Sequence, residues 1–240
     1  MKKISSLIIA VILIISANIS VSALPTPFVT DPFTDEKMTT FIENVPVEKI
    51  EGIDWTKPIK SFDVNEDEMI LLLFNRSDEY AVCVYNSDFE FQYGFSFNSY
   101  GTVACEWSGN DIMVFFVRGD IYAKLDANGN WVEINDIPYS PENNKLSSYL
   151  LYNKSEVVVK NTTYRIQNDM GVLNLVQSAN SYSQLIKIDE NNNETILYDI
   201  NHLQTTRTIL VLIFIIGLVS TFLVTLLKSI TQETIKNKKK

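Results

Sequence analysis

The chain has 240 residues, with 20 basic and 29 acidic residues, one histidine and two cysteines. One histidine is too few for a multi-histidine zinc site, and His202 stands only six residues before a long apolar segment, so a histidine-based triad is not expected either. The acidic balance argues against nucleic acid or anionic lipid as a partner, because both would repel the chain.

The N-terminus has the pattern of a secretory signal peptide. Lys2 and Lys3 precede an apolar run from Leu7 to Ile15, and small residues end in Val21-Ser22-Ala23. The run is shorter than the roughly 20 residues that cross a hydrocarbon layer. We therefore predict a signal helix in residues 1–23 with cleavage after Ala23; an uncleaved anchor is the alternative interpretation.

Residues 24–58 are weakly patterned and contain most of the prolines in the chain: Pro25, Pro27, Pro32, Pro46 and Pro58. Proline cannot donate to a helix or a sheet, so this composition predicts an extended N-terminal arm or an incomplete edge element.

Residues 59–200 contain a repeat with a period of 42 positions. Seven residues of the first copy, Ile70, Phe74, Arg76, Asp78, Tyr80, Ala81 and Asn86, recur in the second as Ile112, Phe116, Arg118, Asp120, Tyr122, Ala123 and Asn128. A third, fainter copy keeps the register through Lys160 and Tyr164. Short β-branched and aromatic runs alternate with polar turns, which predicts antiparallel β-meanders and no helix outside the two ends.

Two hairpins stand out within this region. Asn128-Gly129 is a pair favoured where both turn residues need positive φ, so it predicts a hairpin tip. Residues 184–200 have two apolar runs around a polar turn and predict one more hairpin.

A period near 42 residues with about four strands per unit resembles the blade of a β-propeller. The resemblance covers residues 59–200 and implies an all-β ectodomain of tandem antiparallel meanders, a partial or small propeller-like array. Three units and a hairpin fall short of a ring of four to eight blades. Pairing of residues 38–58 with the last hairpin would close a ring; the alternatives are an open fan, a twisted sandwich, or completion by another chain through open sheet edges.

Two features within the repeat have both a structural and a functional interpretation. Cys83 and Cys105 form either a disulfide or two buried free thiols, and the sequence leaves both open. The second feature is a set of alternating aromatic residues that we expect on one strand face: Phe89, Phe91, Tyr93, Phe95 and Phe97. Core packing is the default explanation, and an exposed part of this set would bind carbohydrate or a protein partner.

No metal or cofactor site is predicted. Asp63, Asn65 and Asp67 begin like a calcium loop, but Glu68 stands where that loop requires glycine and Phe74 where it requires glutamate. A solvated turn is the better interpretation. Glycine-rich phosphate loops and Cys-x-x-Cys pairs are absent from the sequence.

The C-terminal region predicts a membrane helix. Residues 208–227 are uncharged and span about 30 Å as a helix; residues 201–207 form a juxtamembrane linker and residues 228–240 a basic tail. Lysine-rich flanks stay cytoplasmic, so we expect a single-pass protein of the cell membrane with residues 24–207 outside. That outer portion holds 13 basic and 28 acidic residues, a net charge of −15.

Three functional hypotheses follow. The leading one is a non-enzymatic, membrane-anchored module that displays a binding surface for a protein or carbohydrate ligand. The second is an accessory subunit that completes a β-sheet or propeller with another chain. The third is a carboxylate-dependent glycan-active enzyme, which would need two acidic residues about 5–10 Å apart in a cleft.

Overall fold

The structure, a computed structural model, describes residues 27–52, 56–176 and 181–238, and beyond residue 225 it describes the backbone. The expected signal segment, residues 1–23, lies outside the described residues. In chain order the elements are β1 (Asp31–Pro32), α1 (Asp35–Asn44), β2 (Glu48–Ile50), β3 (Ile59–Val64), β4 (Ile70–Arg76), β5 (Glu79–Tyr85), β6 (Phe91–Asn98), β7 (Val103–Ser108), β8 (Asp111–Phe116), β9 (Ile121–Leu125), β10 (Trp131–Asp136), α2 (Pro141–Ser148), a π-helical turn (Tyr149–Asn153), β11 (Glu156–Val159), β12 (Thr162–Gln167), a 3₁₀ helix (Gly171–Val176), β13 (Gln184–Ile188), β14 (Glu194–Asp199) and α3 (Asn201–Lys238).

The strands form three antiparallel sheets. Sheet 1 has the order β2-β6-β5-β4-β3, sheet 2 the order β1-β10-β9-β8-β7, and sheet 3 the order β11-β12-β13-β14. Each contains a meander of four consecutive strands, to which β1 and β2 add at the outer strands β10 and β6. The prediction of antiparallel meanders followed by an apolar C-terminal helix is confirmed.

Sheet 1 lies between the other two sheets. Leu71 and Leu73 of β4 pack towards sheet 2, whereas Leu72 and Phe74 pack towards Tyr164 of sheet 3. The apolar run of β4 is continuous rather than alternating because both faces of this strand are buried.

Strand β3 of sheet 1 lies against β7 of sheet 2 and β11 of sheet 3. The outer face of sheet 2 is covered by α2 and the π-helical turn, where Leu146 and Leu150 pack on Met113 and Phe115. Sheets 2 and 3 share no strand pairing among the described residues. The strand-exchange closure is wrong, because β2 pairs with β6 of the first meander and not with the last hairpin.

Residues 24–58 do not form one extended arm. Thr34 caps a helix over Asp35–Asn44, its Oγ1 accepting from the N–H of Lys37 at 3.4 Å, and Asp35 and Glu36 place negative charge in the first turn. Phe41 of this helix packs on Trp131. The prediction of no helix outside the ends is also wrong for α2, which Ser140 caps and Pro141 begins.

The repeat is correct for its first two copies and wrong for the third. Arg76 is the last residue of β4 and Arg118 comes two residues after β8, so both mark the end of the second strand of a meander. Lys160 instead lies in the turn after β11, the first strand of its meander. The helical residues 141–153, inserted between the second and third meanders, displace the third copy from the register of 42.

Four turns share one hydrogen-bonding pattern. In Asp126–Asn130, Oδ1 of Asp126 accepts from the N–H groups of Asn128 and Asn130, and Gly129 takes φ +90°. Asn128 does not share the positive φ that its pairing with glycine suggested. The same pattern, with a left-handed residue in fourth place, recurs in the turns 65–69, 86–90 and 189–193.

Helix α3 begins at Asn201, so residues 201–207 are its first two turns rather than a linker. The segment Asn201–Thr225 is long and apolar enough to cross a membrane, and its most apolar stretch is not buried by the rest of the described chain.

Strand β14 runs from the turn 189–193 towards Asn201. We call the end of the sheets with the four shared turns the distal end, and the end where α3 begins the proximal end.

Candidate functional site

A buried ion cluster joins the first strands of sheets 1 and 2 to the segment that leads into sheet 3. Lys154, just before β11, places Nζ 2.9 Å from Asp63 Oδ1 on β3 and 3.2 Å from Glu106 Oε2 on β7. The side chain of Lys154 is 9% exposed and that of Asp63 12%. Because buried charges are costly unless they are paired, these contacts fix the three segments relative to one another.

Main-chain hydrogen bonds support the cluster. The N–H groups of Val64 and Trp107 donate to the two carboxylate oxygens of Asp63, at 2.9 and 2.8 Å. Beside them, Ser61 Oγ donates to the carbonyl of Cys105 at 2.9 Å and accepts from its N–H at 3.2 Å. Strands β3 and β7 belong to different sheets, so side chains of β3 take the place of sheet pairing between them.

The electrostatics keep the lysine charged. Burial by itself would lower the pKa of Lys154, but the carboxylates of Asp63 and Glu106 outweigh burial and raise that pKa. Burial raises the pKa of Glu106, and the contact with Lys154 opposes it. At neutral pH the cluster therefore holds one ammonium group between two carboxyl groups.

The cluster is better suited to holding the sheets together than to catalysis. Asp63 and Glu106 are the pair of residue types that glycoside hydrolysis uses. Lys154 fills the space between them, however, and contacts both. An open depression of about 350 Å³ lies elsewhere, between α1 and the start of β9.

The distal end gathers acidic side chains, none of which is buried. They lie in or beside the turns of all three sheets: Glu66, Asp67, Glu68, Asp88, Glu90, Asp111, Asp126, Asp189, Glu190 and Glu194. The shared turn pattern holds their backbone, because in each turn one Asn or Asp side chain accepts two main-chain N–H bonds. The main-chain bond from Asn130 lowers the pKa of Asp126, and the side-chain bond from Asn193 followed by its main-chain bond lowers the pKa of Asp189, so both remain ionised at neutral pH.

Three lysines stand at this end and each is already engaged. Lys124 contacts Glu133 at 2.7 Å and Lys160 contacts Glu68 at 3.2 Å. Lys187 donates to the carbonyl of Ser87 at 3.2 Å. The remaining carboxylates therefore give the distal end a strongly negative potential, which attracts cationic groups.

The aromatic set does not lie on one face. Phe95 and Phe97 are buried between sheets 1 and 2, with Tyr93 partly buried beside them, whereas Phe89 and Phe91 pack on the sheet 3 side. A break in the β5–β6 register, where Tyr85 pairs with Phe91 but Val84 with Tyr93, switches the faces. A β-bulge leaves no clear mark in an alternating sequence, so the sequence gives no warning of the switch.

The two cysteines are separate free thiols in this structure. Cys83 is buried between sheets 1 and 3, and Cys105 between sheets 1 and 2. Burial raises the pKa of both thiols, so neither is poised as a nucleophile at neutral pH.

Other sequence candidates fall in ordinary positions. His202 lies exposed in the first turn of α3. The stretch Asn65–Met69 is one of the four shared turns, and no cluster of three His, Cys, Asp or Glu in the described part of the chain is arranged to hold a metal ion. Lys154 was not singled out from the sequence, because its partners are 48 and 91 positions away and meet only when the sheets pack.

Comparison with known proteins identifies no family for this chain. No protein-family model and no curated protein matches the sequence. One solved structure that aligns with it is a catalytically inactive variant of virginiamycin B lyase from Staphylococcus aureus with quinupristin, at 10% identity and a TM-score of 0.28. The alignment covers 63% of this chain and 59% of that one, a likeness too low to carry an argument about activity.

Proposed function

We propose that the chain is a membrane-anchored, extracytoplasmic β-repeat protein whose propeller-like fan of sheets acts as a binding module. In this proposal the apolar part of α3 up to Thr225 crosses the membrane, the basic residues of the segment 228–240 face the cytoplasm, and the distal end is the recognition surface. The supporting observation is the separation of roles along the sheets: the apolar helix leaves from the proximal end, and the acidic turns stand at the other.

The ligand that fits the distal end best is a protein partner with a cationic surface. Negative potential steers such a partner and favours its docking. Carbohydrate recognition commonly uses exposed aromatic faces, whereas Phe95 and Phe97 are buried in the core.

Anchoring and orientation are tested by cysteine accessibility in intact cells. The variants Asp67→Cys, in a distal turn, and Lys236→Cys, in the basic tail, are treated with a membrane-impermeant maleimide. The buried native thiols are expected to stay unlabelled and serve as the internal control. We expect labelling at position 67 in intact cells and at position 236 only after lysis; the reverse order would contradict the orientation.

Recognition is tested by site-specific photo-crosslinking in the same cells. A photoreactive residue replacing Glu66 should capture a discrete partner, and one replacing Val29 should not, because Val29 is 62% exposed just before β1, where Asp31 pairs with Asp136 at the proximal end of β10. Combining Asp67→Asn, Asp88→Asn and Glu190→Gln should reduce the captured product without altering expression. Equal capture at both positions would count against the distal surface.

A second candidate, an accessory subunit completed by another chain, is favoured by the free outer face of sheet 3. Val158 and Ile196 on that face are 62% and 55% exposed. The same face also carries the ion pair between Arg165 and Glu156, 2.9 Å apart, which suits water better than a dry interface. Light scattering of the detergent-solubilised chain tests completion by a second copy of the chain, and a monomer at all concentrations would argue against it.

A further inference from the structure

The 3₁₀ helix Gly171–Val176 presents apolar side chains outward. Val172 is 82% exposed, Leu175 90% and Val176 55%. A 3₁₀ helix has three residues per turn, so Val172 and Leu175 stand on the same side, one above the other. Met170, at the base of the segment, is buried and holds it to the domain.

The polar side chain within this segment is turned back to its base. Asn174 accepts from the N–H of Met170 at 3.1 Å and donates to the carbonyl of Asn168 at 3.1 Å. Its hydrogen-bonding groups are thereby used within the loop, and the outward surface is left to valine and leucine. Three apolar side chains held outward on a fixed turn are costly in water unless something covers them.

The segment is tied to the start of α3. Asn201, the first residue of that helix, donates to the carbonyl of Asp169 at 2.9 Å and accepts from its N–H at 3.2 Å. Ser183, which closes the same loop, also hydrogen-bonds Asn201. The uncharged run begins at Thr208, about 10 Å farther along the helix, so the 3₁₀ helix lies near the level at which α3 would enter a bilayer.

Charge sets this segment apart from the rest of the outer portion. From Met170 to Ile186 the sequence has no charged residue, although the outer portion as a whole carries a net charge of −15. Two other loops at the proximal end expose tyrosines, Tyr100 at 82% and Tyr139 at 89%. Tyrosine is enriched at the level of lipid headgroups.

We propose that the 3₁₀ helix Gly171–Val176 is a second membrane contact, which inserts Val172 and Leu175 into the boundary between headgroups and acyl chains beside α3. This inference rests on the proposed anchoring by α3. A segment of this kind enters the interface by about 5–10 Å and is driven by its buried apolar area. With the helix it gives the domain two points of attachment, which fixes its tilt on the membrane.

The test uses the full chain in phosphatidylcholine vesicles with a fluorescent probe on an introduced cysteine. Leu175→Cys reports on the 3₁₀ helix, and Phe214→Cys reports on the middle of α3. Val158→Cys, 62% exposed on sheet 3, is the matched control outside the membrane. Two nitroxide lipids are used: one carries the label near the top of the acyl chain, the depth expected for position 175, and the other near the end of the chain, the depth expected for position 214.

We expect several-fold stronger quenching at positions 175 and 214 than at position 158. Quenching at 214 without quenching at 175 would overturn the second contact and leave the anchor standing. Lack of quenching at 214 would overturn both. A probe at 175 that shifts to the blue with protein concentration, without lipid quenching, would show that another protein covers the segment, and would also overturn the inference.

Discussion

The middle sheet is attached to its two neighbours in different ways. Against sheet 2 it uses an aromatic core that includes Phe97, Phe116 and Trp131, together with the buried cluster around Lys154. Against sheet 3 it uses an apolar core, a main-chain bridge between Ile59 and Tyr182, and an ion pair whose lysine, Lys160, is 65% exposed. Because Lys154 stands in the segment that leads into sheet 3, the cluster also ties that segment to Asp63. The contact with sheet 3 therefore differs in that its own ion pair is exposed rather than buried. Sheet 3 is also the sheet that leads into α3.

The largest expected difference between the two attachments comes from their lysines. Lys154→Ala would leave the buried Asp63 and the partly buried Glu106 without a cation and should lower the free energy of unfolding by about 3–5 kcal/mol. Lys160→Ala removes an exposed partner and should cost about 0–1 kcal/mol. Urea unfolding of the detergent-solubilised chain measures both, and similar losses for the two variants would contradict the distinction.

Neighbouring leucines on β4 separate the two cores. Leu72 and Leu73 are both fully buried, but Leu72 faces sheet 3 and Leu73 faces sheet 2. Each change to alanine should cost about 2–5 kcal/mol through the cavity that it leaves. Hydrogen exchange should place the losses differently: Leu72→Ala should lower protection in sheet 3 while sheet 2 keeps its protection, and Leu73→Ala should lower it in sheet 2.

Acid should weaken the attachment of sheet 3 first. Hydrogen bonding by Lys160 lowers the pKa of Glu68 below its ordinary value of 4.5. The stability that this carboxylate contributes is therefore present above pH 4.5 and is lost as the pH falls through the lowered pKa. The pKa of Glu106, at the other attachment, is raised, so the folded state takes up its proton more readily and acid does not penalise that site.

The measurement is the free energy of unfolding between about pH 3.5 and pH 7 for three proteins. Glu68→Gln should reduce the loss below pH 4.5 relative to the unmodified chain, whereas Glu106→Gln should leave that loss in place. An unchanged loss in Glu68→Gln would show that other carboxylates govern the acid response.

The smallest expected effect is a difference between the two cysteine thiols in the urea concentration at which they become reactive. Cys83 reports on the core between sheets 1 and 3, and Cys105 on the core between sheets 1 and 2. In the single-cysteine variants, made with Cys105→Ala or Cys83→Ala, we expect Cys83 to react with a maleimide at a lower urea concentration than Cys105. Equal thresholds would mean that the sheets separate together. The intact mass should also be unchanged by reductant, since both thiols are free.

Local chemistry explains which features could be predicted from the sequence. Some features depend only on residues that are neighbours in the sequence. The turn at Asp126–Asn130 and the apolar helix that includes the uncharged run from Thr208 are two such features, and the structure contains both. The caps of α1 and α2, Thr34 and Ser140, were equally local signals, and the weak patterning and prolines around them obscured both helices.

The candidate site was harder to predict for a different reason. The Lys154 cluster depends on how three distant segments pack, and the switch of face at Phe91 depends on one irregular pair in the β5–β6 ladder. Neither has a periodic signature, because packing between sheets and the position of a β-bulge are decided by tertiary contacts. The prediction of a third copy of the repeat was wrong for the same reason. Residues 141–153 shift the strands of the third meander along the sequence, although Lys160 and Tyr164 still stand 42 positions after Arg118 and Tyr122.

The N-terminal strands also constrain the order in which the chain can fold. Asp31 of β1 pairs with Asp136 of β10, and the ring of Phe28 contacts that of Phe115 in a tilted arrangement. Synthesis delivers residues 27–50 before the strands on which they dock: β6 follows at residues 91–98, and β10 only at residues 131–136. Until Phe116 and Trp131 have appeared, Phe41 of α1 lacks the ring contacts that it makes in the core, and β1 has no strand to pair with. These unpaired edges are where an incomplete chain is most exposed to wrong pairing.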